Sequence, residues 1–218
     1  VDFFIVGAPK AGTTSLYHYL NEHPQIEMSS QKETDYFSDT AIQEQGIYYG
    51  KNRIDTEEKY NILFNTQKKD VIFGEGSVSY LFYPNVAQDI KAYNPIAKII
   101  IMLRNPIDRA FSHYLMDYRL GLVSDSFEDI INKKSKHKNA HLFYQQYIKV
   151  GEYAVQLKRY FDIFDKENIL LVDYEDFKSD VTGTVNSVYS FLNVSTEFLA
   201  DVNKKHNTST MPKNKLIR

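Results

Sequence analysis

The chain has 218 residues, 43% of them hydrophobic, a formal net charge of −2 and no cysteine. That length buries one substantial core, and a single α/β domain over residues 1–218 is expected. The near-neutral charge argues against a generic nucleic-acid binder, and the lack of cysteine excludes disulfides, thiolate metal sites and a cysteine nucleophile.

The first element is a buried strand, Phe3–Gly7, followed by a helix from about Thr13 to Asn21 that stops before His23-Pro24. Continuous apolar runs of strand length recur at Asp70–Glu75, Ala97–Leu103 and Asn168–Tyr174, the pattern of a parallel sheet covered on both faces. Helical patterns lie between them, at Pro84–Tyr93, Pro106–Leu120, Phe127–Lys133, Tyr153–Phe164 and Val181–Leu192. The alternation predicts a doubly wound, mainly parallel sheet flanked by helices, whose ligands gather at the carboxyl ends of the strands. The longest apolar run, Ala97–Leu103, is too short to span a bilayer, and no charged-then-apolar leader opens the chain. A cytoplasmic protein is therefore the default expectation, with the start at Val1 and the end at Arg218 reading as trimmed.

The first strand-to-helix turn reads Gly7-Ala8-Pro9-Lys10-Ala11-Gly12-Thr13-Thr14. Its glycine spacing is that of a phosphate-binding P-loop, but Thr13 stands where the Walker lysine belongs. The amides of Gly12 to Ser15 would open a helix with its positive end toward an anion. Lys10 projects from inside the loop instead, a position suited to one specific oxygen of the ligand, such as a leaving-group bridge. The segment PKAGTTSL resembles the 5′-phosphosulfate loop of sulfotransferases that use 3′-phosphoadenosine-5′-phosphosulfate (PAPS). The resemblance implies that Lys10, Ala11, Gly12, Thr13, Thr14 and Ser15 hold the donor and that Lys10 is catalytic.

A second block, RNPIDRAFSHY, is similar to the 3′-phosphate motif of the same family. An arginine at a strand end, Arg104, and a serine hydroxyl about two turns into the next helix, Ser112, make a charge-assisted phosphate clamp. Arg109 reads more simply as an ion-pair partner on the helix surface, and His113 as a packed or solvent-facing imidazole.

Sulfuryl transfer needs an in-line nucleophile and a base for the acceptor proton, with little call for a metal. The order in SQKETDYF is similar to a segment of glycan-modifying sulfotransferases whose glutamate is the base, which puts that role on Glu33 and a second cation on Lys32. GEGSVSYLF resembles another family segment, with Gly76 and Val78 replacing its lysine and proline. Glu75, Ser77 and Tyr80 are its acceptor-side candidates, with capping or packing as their other reading. VGEYAVQLKRYFDIF resembles a helix start that brings Gly151 and Tyr153 to the nucleotide, and KKHNTSTMPKNK a closing loop in which Asn207 and Lys213 would touch it.

The resemblance implies a P-loop-type sulfotransferase fold, PAPS as donor with 3′,5′-adenosine bisphosphate (PAP) as product, no required metal, and a carbohydrate or small-molecule hydroxyl or amine as acceptor. Two other readings stand beside it. ENILLVDYED could be a Walker B strand with Asp173 holding magnesium for a kinase or NTPase. Alternatively, the chain could be a non-catalytic nucleotide- or glycan-binding module. Tyr174, Glu175 and Asp176 are expected to bear the fold, and the basic run Lys133–Lys138 to be a solvated loop. The six histidines show no metal-like spacing.

Overall fold

A computed structural model describes residues 1–46, 53–64 and 67–204. Among them the elements run β1 (Phe3–Gly7), α1 (Thr13–Asn21), β2 (Ile26–Met28), α2 (Asp39–Gln45), α3 (Glu57–Asn61) and β3 (Ile72–Gly76). There follow α4 (Val86–Tyr93), β4 (Lys98–Leu103), α5 (Pro106–Arg119), α6 (Phe127–Ile131), α7 (Ala140–Tyr147) and α8 (Tyr153–Ile163). The chain closes with β5 (Ile169–Asp173), α9 (Tyr174–Ser179) and α10 (Val181–Leu192). Every expected strand and helix is present within about two residues. The sequence pattern missed β2, which has only three residues, and α2, α3, α7 and α9, none longer than eight.

The five strands are ordered β2-β3-β1-β4-β5, and every pairing is parallel. β1 is central, with Phe3 in register with Gly74 of β3 on one side and Lys98 of β4 on the other. All five β1 residues are buried, as its unbroken apolar run requires. α1 packs with α10, and α4 with α8, around the sheet. The chain leaves β1 toward β2 and β3, then crosses to β4 and β5 on the other side. This reversal opens a crevice at the carboxyl ends of β1 and β4, where doubly wound sheets take ligands.

Two local choices aim the loops into that crevice. Gly12 adopts φ 89° at the N-cap of α1, in the left-handed region that glycine enters without penalty. A Cβ there would also press on the rings of Phe177 and Tyr174, at 3.2 and 3.3 Å. Pro106 takes the first turn of α5, where Asn105 caps the amides of Ile107 and Asp108 at 2.9 and 3.3 Å. α5 thus begins directly after Arg104.

Candidate active site

A cleft of about 920 Å³ opens at this switch point. It is lined by Lys10, Gly12, Thr13, Thr14 and Ser15 from the first loop, Arg104 after β4, and Ser112 on α5. Glu33 lines the same cleft from the segment after β2. The sequence-expected anion ligands and the expected base therefore meet in one place, though they lie up to about a hundred residues apart. Ala11, expected to hold the donor, is fully buried and absent from the cleft lining, and its amide donates to the Ala8 carbonyl at 3.3 Å, which corrects that expectation. Asn207 and Lys213 lie outside the described residues.

The end of the cleft at the first loop presents a row of hydrogen-bond donors. No side chain caps α1, and the amides of Thr13 and Thr14 have no partner among the described residues. Among the described residues Lys10 Nζ makes a weak contact, 3.5 Å to Met116 Sδ. Burial, then the like charge of Arg119, holds the Lys10 pKa below its ordinary 10.5; Asp117 opposes this and Arg104 adds to it. Arg104 donates to the Lys10 carbonyl at 3.2 Å and lies over the Tyr174 ring, 4.6 Å from its centroid. Its Nε is buried without a partner. A dianionic phosphate or a phosphosulfate would satisfy all of these groups.

Tyr174 lines the cleft and places its ring against the Arg104 guanidinium, so its expected purely fold-bearing part is too narrow. Its signal was an aromatic residue directly after a strand's carboxyl end. Tyr153, expected at the nucleotide, does not line the cleft. It donates to the Arg104 carbonyl at 3.0 Å and so steadies the turn that carries the guanidinium.

The end of the cleft expected to face an acceptor is a frame of two zipped segments. Glu33 sits at φ 59°; its amide donates to the Gly76 carbonyl and its Oε2 accepts from the Val78 amide, both at 2.9 Å. Glu33 Oε1 accepts from Lys32 Nζ, and the carboxylate side chain remains 34% exposed, open to a proton transfer. Lys32 does not line the cleft: its ammonium is committed to Glu33, which corrects its expected place as a free acceptor-side cation.

Glu75, Ser77 and Tyr80 are likewise corrected as acceptor contacts, because all three are wholly buried. The Glu75 carboxylate accepts from four hydroxyls, those of Thr34, Ser77, Tyr60 and Tyr80, at 2.6, 2.6, 2.8 and 3.2 Å. Burial raises its pKa, and these donors pull it back. Ser77 Oγ accepts from the Asp35 amide at 3.0 Å, and Tyr80 Oη from the Phe37 amide at 3.3 Å. The trio holds the segment carrying Glu33. A side chain at Gly76 would meet Tyr17 Cδ2 at 3.3 Å, so Tyr17 stands where a lysine at that position would start.

Arg109 is fully buried and does not form the expected surface ion pair. It donates to the carbonyls of Gln146 and Tyr147 at 2.8 and 2.5 Å, fastening α5 to the end of α7. His113 is packed, as one of its two readings expected, and lines the cleft wall. Burial, with Arg109 and Lys10 nearby, lowers its pKa from 6.5 to about 3.

The far wall comes from elements the sequence pattern missed. Ile42, Gln43 and Gln45 of α2 and Gln146 of α7 line it, and Gln145 donates to Gln45 across the gap at 2.7 Å. Asp173 spends its carboxylate on the cap of α9, accepting from the Glu175 amide at 2.7 Å. No helix among the described residues is long and apolar enough to cross a membrane.

The sequence model of a sulfotransferase domain matches residues 1–217. Human carbohydrate sulfotransferase 15 is 28% identical over 88% of this chain and 43% of its own length. The bifunctional heparan sulfate N-deacetylase/N-sulfotransferase 1 of Caenorhabditis briggsae is 25% identical over 88% of this chain and 22% of its own. The chain thus spans less than half the length of these curated relatives. Among solved structures, a sulfotransferase from Alicyclobacillus acidocaldarius is 36% identical with a TM-score of 0.79, covering 95% of this chain and 86% of that one. Mouse sulfotransferase SULT7A1, solved in complex with PAP, shares the fold at 20% identity and a TM-score of 0.52, over 89% of this chain and 58% of that one.

Proposed function

The chain belongs to the sulfotransferase family, and from that premise we propose that it moves a sulfuryl group from PAPS to a hydroxyl or amine of a carbohydrate, with Glu33 as base. The observation that carries the reading is the convergence of Lys10, Arg104, Ser112 and Glu33 on one cleft at the switch point of the sheet. The relatives named as carbohydrate and heparan sulfate sulfotransferases support a glycan acceptor.

PAPS, when bound, supplies a sulfuryl group on a phosphate leaving group. The first-loop amides and Lys10 would hold its 5′-phosphosulfate, and Arg104 and Ser112 its 3′-phosphate. The Lys10 ammonium stabilises negative charge at the leaving oxygen, an interaction that strengthens as the bond breaks. Glu33 Oε takes the proton of the acceptor hydroxyl or amine as its lone pair attacks sulfur. Val78 and Lys32 fix the carboxylate for that transfer, and the Glu75 frame fixes its backbone. A kinase reading would need Asp173 for a metal, and that carboxylate is engaged at a helix cap.

The test is transfer of ³⁵S from labelled PAPS to a panel of desulfated glycans in EDTA. Wild type labels at least one glycan, and Lys10→Ala and Glu33→Gln do not. Equal labelling by both variants would remove the two residues from the mechanism.

A further inference from the structure

Met116 of α5 lines the cleft and brings its Sδ to 3.5 Å from Lys10 Nζ. A thioether is a weak hydrogen-bond acceptor, so this contact holds the ammonium loosely and lets it turn to a leaving oxygen. It also sets a sulfur lone pair beside the group on which the proposed transfer depends most.

The chain has four methionines and no cysteine. Met28 and Met102 are buried, at 2% and 0% exposure, and Met211 lies outside the described residues. Among the described residues Met116 is thus the methionine that solvent reaches, half-buried in the wall of the cleft. Oxidation of side chains follows softness and exposure, and thiolates are its usual first targets. This chain holds no thiol to intercept an oxidant before the Met116 sulfur.

We propose that Met116 is a redox modification site, whose conversion to the sulfoxide lowers turnover by capturing the Lys10 ammonium and whose reduction restores it. The proposal rests on the sulfotransferase reading above and adds a control to it. In the step a lone pair of Sδ attacks one oxygen of hydrogen peroxide and the O–O bond breaks. Sulfur is oxidised by two electrons to S=O, and the second oxygen leaves as water with both protons. With Nζ 3.5 Å from Sδ, the added oxygen comes within hydrogen-bond reach of the ammonium after a small shift of either side chain. A polar S=O oxygen facing a cation is a much stronger acceptor than the thioether it replaces, so Lys10 is held away from the leaving oxygen.

The experiment treats the purified protein with graded hydrogen peroxide and maps sulfoxides by peptide mass spectrometry. PAP affinity is read by calorimetry, and single-turnover ³⁵S transfer is read on the desulfated glycan that untreated protein labels. Turnover should fall in proportion to the sulfoxide fraction at Met116, by about tenfold or more at full conversion, with a smaller loss of PAP affinity. Methionine sulfoxide reductases for both epimers should restore it. Met116→Leu, close in volume and without sulfur, should keep its own untreated turnover through the same treatment. Full turnover with Met116 converted overturns the proposal, as does an equal fractional loss in Met116→Leu. So does a loss of PAP affinity as large as the loss of turnover, which would mean that the cleft has come apart rather than that Lys10 is captured. If untreated wild type neither binds PAP nor labels a glycan, the sulfotransferase reading itself falls, and this inference with it.

Discussion

At the donor end of the cleft, most functional groups leave the carboxyl end of a strand, and Arg104 is steadied by Lys10, Tyr153 and Tyr174 from other parts of the chain. Lys10 and the α1 amides follow β1, Arg104 follows β4, and Tyr174 follows β5 to stack on Arg104. At the acceptor end, Glu33 follows no long strand; it is held by hydrogen bonds to a segment more than forty residues away, itself anchored on a buried glutamate. A binding function that needs only amides and point charges can be written in short contiguous motifs. Placing a carboxylate with an open face, the proposed base, requires a scaffold, and here that scaffold consists of buried polar residues.

This contrast predicts different failures at the two ends. The largest effect is expected from Lys10→Ala, which should lower kcat by about a thousandfold or more while weakening PAP binding only modestly, as single-turnover ³⁵S transfer and calorimetry would show. Glu33→Gln should cost about a hundred- to ten-thousandfold in kcat with an unchanged Tm, since the amide oxygen can still accept from Val78. Glu75→Ala inverts that pattern: about 3 kcal/mol or more of stability is lost in denaturant unfolding, because buried hydroxyls are left without their acceptor. A Glu75 variant that kept full stability but lost turnover would erase the distinction between frame and site.

Tyr174→Ala should weaken PAP binding about fivefold to thirtyfold by releasing the Arg104 guanidinium, with kcat at saturation little changed. A separate effect, confined to acid conditions, concerns pH sensitivity. His113 is held neutral down to about pH 3 in the fold, against an ordinary 6.5. The unfolded chain therefore binds the extra proton between these values, and stability falls as the pH drops through that window. His113→Asn should flatten this part of the stability profile; an unchanged profile would show that the imidazole is not buried neutral.

The same contrast explains what could be read from the residues alone. The strands declared themselves because a doubly covered parallel strand must be apolar throughout, and the P-loop spacing and the block from Arg104 to Ser112 each concentrate several constraints in a dozen residues. Glu33 was legible only beside those motifs and by resemblance. Its frame was left between two readings, acceptor contact and packing, for Glu75, Ser77 and Tyr80, and only the packing of Thr34 and Tyr60 around Glu75 decides for a buried cluster. Arg109 was misjudged for a similar reason, since main-chain carbonyls at the end of α7 satisfy part of a buried guanidinium and leave no pattern of partner charges to read. The far wall was missed because α2 and α7 are short and weakly periodic, and their place depends on contacts such as Gln145 with Gln45.

The central claim is that the P-loop serves a 3′,5′-bisphosphate donor rather than a magnesium triphosphate. Its most direct test is thermal unfolding with PAP, ADP and ATP, each in magnesium and in EDTA. The account predicts that PAP in EDTA, at a hundred times its Kd, adds about 2.7 kcal/mol of stability, while ADP adds little. Stabilisation by Mg-ATP in preference to PAP would contradict it and return the chemistry to Asp173.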